Sequence, residues 1–320
     1  MSGVLLTGAD GFVGKLLKQR LSAMGTHLNV ATRRQKLKDD GPHTRCHQID
    51  SIGSNTDWGP ALEGCATVIH LAAQVPSPEV SADVYGEVNA LGTGRLVEQA
   101  TDHGVRKFIY LSSIFAVVEN SSPNVVNDET PTMSTTPYGR SKRDAERYVE
   151  RFAGAGRIGI TLRPPVVYGG AVGGNWHRLQ RLSMSGVPLP FRIVRNKRTM
   201  IAVDNLVDAI THLLVRTNND LVSGTFAVSD NQALSIAQTI RLLRQGMGIA
   251  PRLVPVPVTV LRALGHMAGR QREVESLIGS LQIDSQRFQE TFDWRPAVSA
   301  EDAIRQSGMD FAARSAERPN

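Results

Sequence analysis

The chain has 320 residues, of which 36 are Lys or Arg, 30 are Asp or Glu, 41% are hydrophobic and only two are cysteine. That length holds one large α/β domain or a core domain with a smaller lobe, and the composition excludes a disordered, fibrous or disulfide-stapled protein. A net charge of +6, with basic residues scattered and no interleaved aromatics, argues against nucleic acid and leaves a small anionic substrate as the sharper expectation.

No apolar run reaches membrane-spanning length, and the most hydrophobic late stretch, residues 253–264, is broken by Pro255, Pro257 and Arg262. The start runs directly into Gly3-Val4-Leu5-Leu6-Thr7, which is not a signal-peptide pattern. Cys46 and Cys65 lack a C-x-x-C spacing and read as reduced thiols of a cytoplasmic protein. His43, Cys46 and His47 cluster, but irregularly and with no second ligand group, so no metal is expected.

Taken in chain order, short apolar runs alternate with helical segments. A strand over 4–7 is followed by a helix over 12–24, a strand over 28–32 and a further strand over 67–71. A helix over 92–103 stops at Gly104, a strand covers 107–111, the helix through Tyr138 stops at Ala153-Gly154, and a strand covers 158–162. This rhythm predicts an α/β fold with a doubly wound parallel sheet (Rossmann). After Pro164 the texture changes to glycine pairs, a helix over 176–184 and a proline-rich loop. A strand-then-helix pattern returns over 199–215. The expected organisation is a cofactor domain over 1–165 plus about 200–230, with a smaller mixed lobe from about 166–199 and 231–320 that binds substrate.

Thr7-Gly8-Ala9-Asp10-Gly11-Phe12-Val13-Gly14 joins the first strand to the first helix with glycines spaced G-x-x-G-x-x-G. Gly8 permits the tight turn, Gly11 lets backbone N–H groups approach a phosphate, and Gly14 lets the helix pack close. Phe12 and Val13 open a helix whose positive end faces the anion. The residue after Gly14-Lys15 is leucine, which excludes a magnesium-binding phosphate loop. About twenty residues on, where a carboxylate would hold the ribose of NAD, stand Arg33 and Arg34, which suit a 2′-phosphate. The expected cofactor is therefore NADPH, with NADH possible. Asp50, after the third strand, is placed to hold the adenine amino group.

Tyr138 and Lys142 lie four residues apart on one helix face. An ammonium beside a phenol favours the phenolate, so the pair is a candidate proton donor and acceptor at a carbon bearing oxygen.

With these motifs the chain resembles the extended short-chain dehydrogenase/reductase family of nucleotide-sugar epimerases, dehydratases and reductases. The resemblance spans nearly the whole length. It includes His70-Leu71-Ala72-Ala73, Asn89, Gly92-Thr93, Leu111-Ser112-Ser113, Leu162-Arg163-Pro164 and Val203-Asp204-Asn205. It implies that Tyr138 donates a proton to a carbonyl, that Lys142 holds the nicotinamide ribose, and that Ser113 hydrogen-bonds the reacting oxygen. Leu71, Ala72, Ala73 and Pro164 would line the cofactor through their backbone, and His70 would pack. The family's dehydratases carry Asp-Glu directly after the catalytic hydroxyl; Ile114-Phe115 here makes elimination unexpected. The later loops look like the UDP-sugar part of the family, with Arg198 on the diphosphate and Asn175 beside it. They are most similar to those of bacterial 4-ketoreductases acting on UDP-2-acetamido-2,6-dideoxy-4-hexuloses. Together with Arg33 and Arg34 this implies NADPH-dependent reduction at C4, toward an N-acetylquinovosamine or N-acetylfucosamine sugar nucleotide for surface polysaccharide. A UDP-hexose 4-epimerase with bound NAD is the alternative, and a catalytically silent dinucleotide sensor a third. The resemblance also implies a homodimer.

Overall fold

A computed structural model describes residues 3–33, 41, 43–77, 79–170 and 173–317. The first half runs β1 (Gly3–Thr7), α1 (Phe12–Ala23), β2 (Leu28–Thr32), β3 (Thr44–Gln48), α2 (Gly59–Leu62), β4 (Cys65–His70), α3 (Ala82–Tyr85), α4 (Gly92–Asp102), β5 (Lys107–Leu111), α5 (Pro137–Phe152) and β6 (Ile158–Arg163). The second half runs β7 (Val167–Tyr168), α6 (Gly174–Met184), β8 (Arg198–Thr199), β9 (Ile201–Ala202), α7 (Val203–Val215), β10 (Gly224–Ala227), β11 (Ala233–Leu234), α8 (Ile236–Gly246), α9 (Val258–Met267), α10 (Gln271–Ile278), α11 (Gln286–Phe292) and α12 (Ala300–Ala316).

Seven strands form one sheet in the order β10-β6-β5-β4-β1-β2-β3, with every pairing parallel. The reversal of strand order between β1 and β4 opens a crevice at the carboxyl end of the sheet, where such folds bind ligands. Strands as apolar as Val4-Leu5-Leu6 and Phe108-Ile109-Tyr110 are buried because helices cover both faces. Leu17 and Leu21 of α1, Leu206, Ile210 and Leu213 of α7, and Phe288 and Phe292 of α11 cover one face. Leu96, Val97 and Ala100 of α4, with Val149 and Phe152 of α5, cover the other. A separate cluster joins α6, α8 and α12 into the second lobe. The edge strand β10 comes only after that lobe has begun, and pairs with β6 through Gly224–Ala227 against Ile160–Arg163.

The doubly wound parallel sheet expected from the sequence is present. Boundaries moved in two places. The helical segment expected from residue 92 begins ten residues earlier, at Ala82, and passes through a wide π turn over Gly86–Leu91; Gly86 and Gly92 interrupt the apolar period there and hide its continuity. The pattern over 199–215 resolves into two short strands, β8 and β9, before α7. No helix among the described residues is long and apolar enough to cross a membrane.

Candidate active site

β1 ends at Thr7 and the chain turns at Gly8, whose φ is +72°, in the left-handed region. A Cβ there would also lie 2.7 Å from the amide nitrogen of Ala72, and one on Gly14 would overlap the carbonyl oxygen of Gly8. The loop is thus compressed against the segment after β4 and against its own helix, and only glycine fits. Gly11 caps α1 without a side-chain hydrogen bond, and the first turn, with Phe12 and Val13, holds no acidic residue. Its N–H groups and positive helix end suit a diphosphate.

The far wall of the crevice is fixed by buried polar side chains. Thr93 Oγ1 donates to the carbonyl of Asn89 at 2.6 Å, so it accepts from His70 Nε2 at 3.0 Å, and His70 Nδ1 then accepts from Thr7 Oγ1 at 2.7 Å. Burial, with the Lys142 charge adding to it, pushes the His70 imidazole down to about 3, so the ring is neutral and holds one tautomer. Thr7 in turn accepts from the Ala72 amide at 3.2 Å. Asn89 accepts from the Gln74 amide at 2.7 Å and donates to the Gln74 carbonyl and to Ser141. Leu71, Ala72 and Ala73 are therefore held along the crevice by groups on three different elements.

α5 begins at Thr136, which accepts from the Gly139 amide at 3.1 Å, with Pro137 in the first turn. A Cβ on Gly139 would overlap the carbonyl oxygen of Phe115, so glycine lets α5 start directly against the loop after β5. That approach brings Tyr138 to Ser113. Their hydroxyls share a hydrogen bond, which pulls the phenol down while burial pushes it up to about 12. Ser112, by contrast, donates to Glu146 at 2.5 Å. Lys142 is 1% exposed; its Nζ donates to the carbonyl of Leu111 at 2.7 Å and lies 4.5 Å from the centre of the Tyr110 ring. Burial pushes this ammonium down to about 7, with the Glu146 charge opposing. Tyr138, Lys142 and Ser113 are thus assembled at one point beyond β5. Pro164 adjoins them, its carbonyl accepting from the Ile114 amide at 2.9 Å.

Arg33 and two carboxylates bear on the outer end of the cofactor crevice. Arg33 is exposed at the end of β2, and Arg34 lies outside the described residues. Asp50 is exposed after β3. A further carboxylate comes from the glycine loop: Asp10 accepts from Thr32 Oγ1, the last residue of β2, at 2.8 Å.

Beside Phe115 a cavity of about 90 Å³ opens between the sheet and the second lobe. Asn175 and Trp176 of α6, Arg198 of β8, and Ser276 and Leu277 of α10 help to line it. Asn175 is exposed at the start of α6, whereas Arg198 is largely buried and donates to the carbonyls of Asn120 and Gly279, both at 3.0 Å. Burial pushes Arg198 down to about 10, which leaves it cationic at neutral pH. The two predicted substrate contacts therefore share one cavity, with the guanidinium braced by backbone. Among the described residues no group of His, Cys, Asp and Glu could hold a metal ion.

Three parts of the site escaped the sequence reading. Tyr85 and Phe115 set their rings edge-on to Tyr138, at 6.0 and 6.4 Å between centres. Glu146, buried four residues beyond Lys142, is bound at both carboxylate oxygens by Arg163, at 2.9 and 2.6 Å. The i, i+4 spacing from Lys142 was the available signal for it.

Residues 4–229 match the NAD dependent epimerase/dehydratase family. Over 316 residues the chain is 31% identical to the UDP-glucose 4-epimerase of Vibrio cholerae, covering 96% of this chain and 95% of that one. Its fold is similar to that of a UDP-N-acetylglucosamine 4-epimerase from Bacillus cereus, with a TM-score of 0.77, 19% identity and coverage of 97% and 99% of the two chains. It is equally similar to a UDP-glucuronic acid 4-epimerase from Bacillus cereus in complex with NAD, with a TM-score of 0.77, 19% identity and coverage of 98% and 96%. A glycine loop compressed between the first strand and the first helix, a tyrosine, lysine and serine gathered beyond β5, and a match running through both lobes place this chain in the NAD dependent epimerase/dehydratase family of enzymes, within the extended short-chain dehydrogenases/reductases.

Proposed function

We propose that the chain is a UDP-sugar 4-epimerase that works with NAD. The observation that carries this reading is the single Tyr138–Ser113 hydroxyl pair at the floor of the crevice, with Ile114-Phe115 in place of the acid and base that elimination needs. The whole-length likeness to a UDP-glucose 4-epimerase supports the same reading. A nicotinamide dinucleotide bound at the glycine cradle supplies reversible hydride transfer at carbon. Tyr138 takes the proton from the C4 hydroxyl as the C4–H bond breaks, and returns it when that bond reforms on the opposite face. Ser113 donates a hydrogen bond to the C4 oxygen throughout, and Lys142 holds the nicotinamide ribose while its charge favours the phenolate. Arg198 and Asn175 engage the diphosphate, and Leu71, Ala72, Ala73 and Pro164 line the cofactor through their backbone. Asp50 holds the adenine.

Asp10 favours NAD over NADP. Its carboxylate, hydrogen-bonded to Thr32 at the end of β2, would face the adenosine ribose of a dinucleotide bound at the glycine loop, where it suits a 2′-hydroxyl better than a 2′-phosphate. The second reading is NADPH-dependent reduction of a UDP-4-keto-6-deoxy-N-acetylhexosamine; the exposed cation Arg33 at the same strand end favours it. The division into a cofactor domain over 1–165 and 200–230 and a substrate lobe over 166–199 and 231–320 belongs to this proposal. So does a homodimer through α4 and α5. Incubation of the purified protein with UDP-glucose and with UDP-N-acetylglucosamine, with and without added NAD, decides between the readings. Appearance of the C4 epimer without net cofactor turnover supports the epimerase. Stoichiometric NADPH oxidation with the 4-keto-6-deoxy sugar, and no epimer, overturns it in favour of the reductase.

A further inference from the structure

The positive charge of this chain is not spread evenly. Residues 166–199 and 231–272, the part of the second lobe that precedes Glu273, contain twelve Lys and Arg and no Asp or Glu. Everything else carries the remaining 24 basic residues against 30 acidic ones, so these two stretches stand at +12 and the rest of the chain at −6, and the whole lobe to residue 320 still holds +8. A cationic rim would steer a dianionic sugar nucleotide to the cavity. It does not explain what else this lobe displays.

α9 turns Leu261 and Gly265 inward, where a Cβ on Gly265 would meet Val274 of α10 at 2.7 Å. Its opposite stripe, Val260, Leu264 and Met267, spaced i, i+4 and i+7, faces outward. Leu264 is 55% exposed and Met267, at the tip, 82%. Ala268 and Gly269 continue that tip, and Arg270 and Arg272 follow directly, all exposed. The neighbouring loop, tied to this region by a hydrogen bond from the Arg192 amide to the Val254 carbonyl, presents Ile193 at 47% exposure among Arg192, Arg195 and Lys197. Beneath the stripe an apolar crevice opens between α9 and α10, lined by Phe191, Leu264, Val274 and Leu277. Glu273 is also exposed beside Arg272, and Glu275 pairs with Arg262 at 3.2 Å, so the rim holds Arg192, Arg195, Lys197, Arg262, Arg270 and Arg272 against these two carboxylates. Protruding apolar side chains in such a predominantly cationic rim are the pattern of a surface that enters the headgroup layer of an anionic bilayer.

We propose that the α9–α10 tip and the 192–197 loop dock this protein on anionic phospholipid, with Leu264 and Met267 inserted among the acyl chains and Arg192, Arg195, Arg270 and Arg272 on the lipid phosphates. The choice of lipid over a second copy of this chain rests on charge, because a second copy would bring the same excess of cations, six against two carboxylates, face to face. Since Leu277 lines both the crevice and the sugar cavity, docking would hold the substrate entrance beside the membrane surface. The proposal does not depend on which sugar reaction the site performs.

The test is flotation of the full chain with vesicles of phosphatidylglycerol mixed with phosphatidylcholine, against vesicles of phosphatidylcholine alone. The protein should float with the mixed vesicles only, and less so as salt is raised. The exposed double variant Leu264→Ser, Met267→Ser should lower partitioning on the order of tenfold or more, and Arg270→Gln about fivefold, with turnover of soluble sugar nucleotide unchanged. Absence of flotation with the mixed vesicles overturns the proposal. So does flotation that the double variant leaves intact. If that variant instead abolishes a concentration-dependent dimer in sedimentation while no vesicle binding occurs, the patch is a contact between copies and the proposal also fails.

Discussion

Glu146 is where the fold and the site are most tightly joined, and its replacement by alanine has a calculable cost. The carboxylate receives two hydrogen bonds from Arg163 and one from Ser112, with the Glu146 side chain 6% exposed and that of Arg163 12%. Three elements meet there: α5, which carries Tyr138 and Lys142, the end of β5, which leads to Ser113, and the end of β6, which leads to Pro164. Glu146→Ala leaves the Arg163 guanidinium buried without its counter-charge, a loss of about 3–5 kcal/mol. For a chain of this size that corresponds to a fall in Tm of roughly 4–7 °C. Glu146→Met combined with Arg163→Met removes both charges and should recover most of the stability. Urea unfolding of the wild type, Glu146→Met, Arg163→Met and the double variant measures this cycle, with Glu146→Ala alongside. In the double variant Lys142 has lost the negative charge that opposes its desolvation, so its ammonium gives up a proton more readily and the alkaline fall of kcat should move to lower pH. A cost below about 1 kcal/mol for Glu146→Ala, or a double variant no more stable than the weaker single one, would refute the brace.

Two further outcomes follow from the site. Tyr138→Phe keeps the ring and its contacts with Tyr85 and Phe115 but removes the proton carrier; turnover should fall by about a hundredfold or more while dinucleotide affinity, measured by calorimetry, stays within a factor of about three. Lys142 is held below its unfolded value of 10.5, at about 7, so the unfolded chain binds more protons there between those values and wild-type stability should gain from this group as pH rises from about 7 toward 10.5. Lys142→Met abolishes that gain along with activity; unfolding midpoints that rise equally steeply with pH in the variant and the wild type contradict the buried ammonium.

The sheet, the glycine cradle and the Tyr138–Lys142 pair were legible because each depends on local pattern: alternation of apolar runs, glycine at fixed offsets, and residues four apart on a helix. Ser113 was legible only through the family resemblance, since nothing local distinguishes it from Ser112; the Glu146 hydrogen bond to Ser112 does that in the folded chain. The Thr7–His70–Thr93 chain and the clamp of Asn89 on Gln74 join residues far apart in sequence, and no periodicity reports such pairings. The Asp10–Thr32 hydrogen bond belongs to the same kind, since it joins the glycine loop to the end of β2 across 22 positions, next to the strand end that carries Arg33.

The late arrival of β10 bears on how the protein is made. β6 ends at Arg163 and its outer neighbour begins at Gly224, 61 positions later. At the usual pace of synthesis a ribosome needs about 3–12 s to cover that distance. Throughout that interval six strands are out of the tunnel and the outer backbone of β6 has no strand to bond with, which makes it a template for any other extended chain nearby. The nascent protein is therefore most vulnerable to misassembly before residue 224 emerges, and truncations between 164 and 223 should aggregate in the cell whereas those beyond 230 gain solubility.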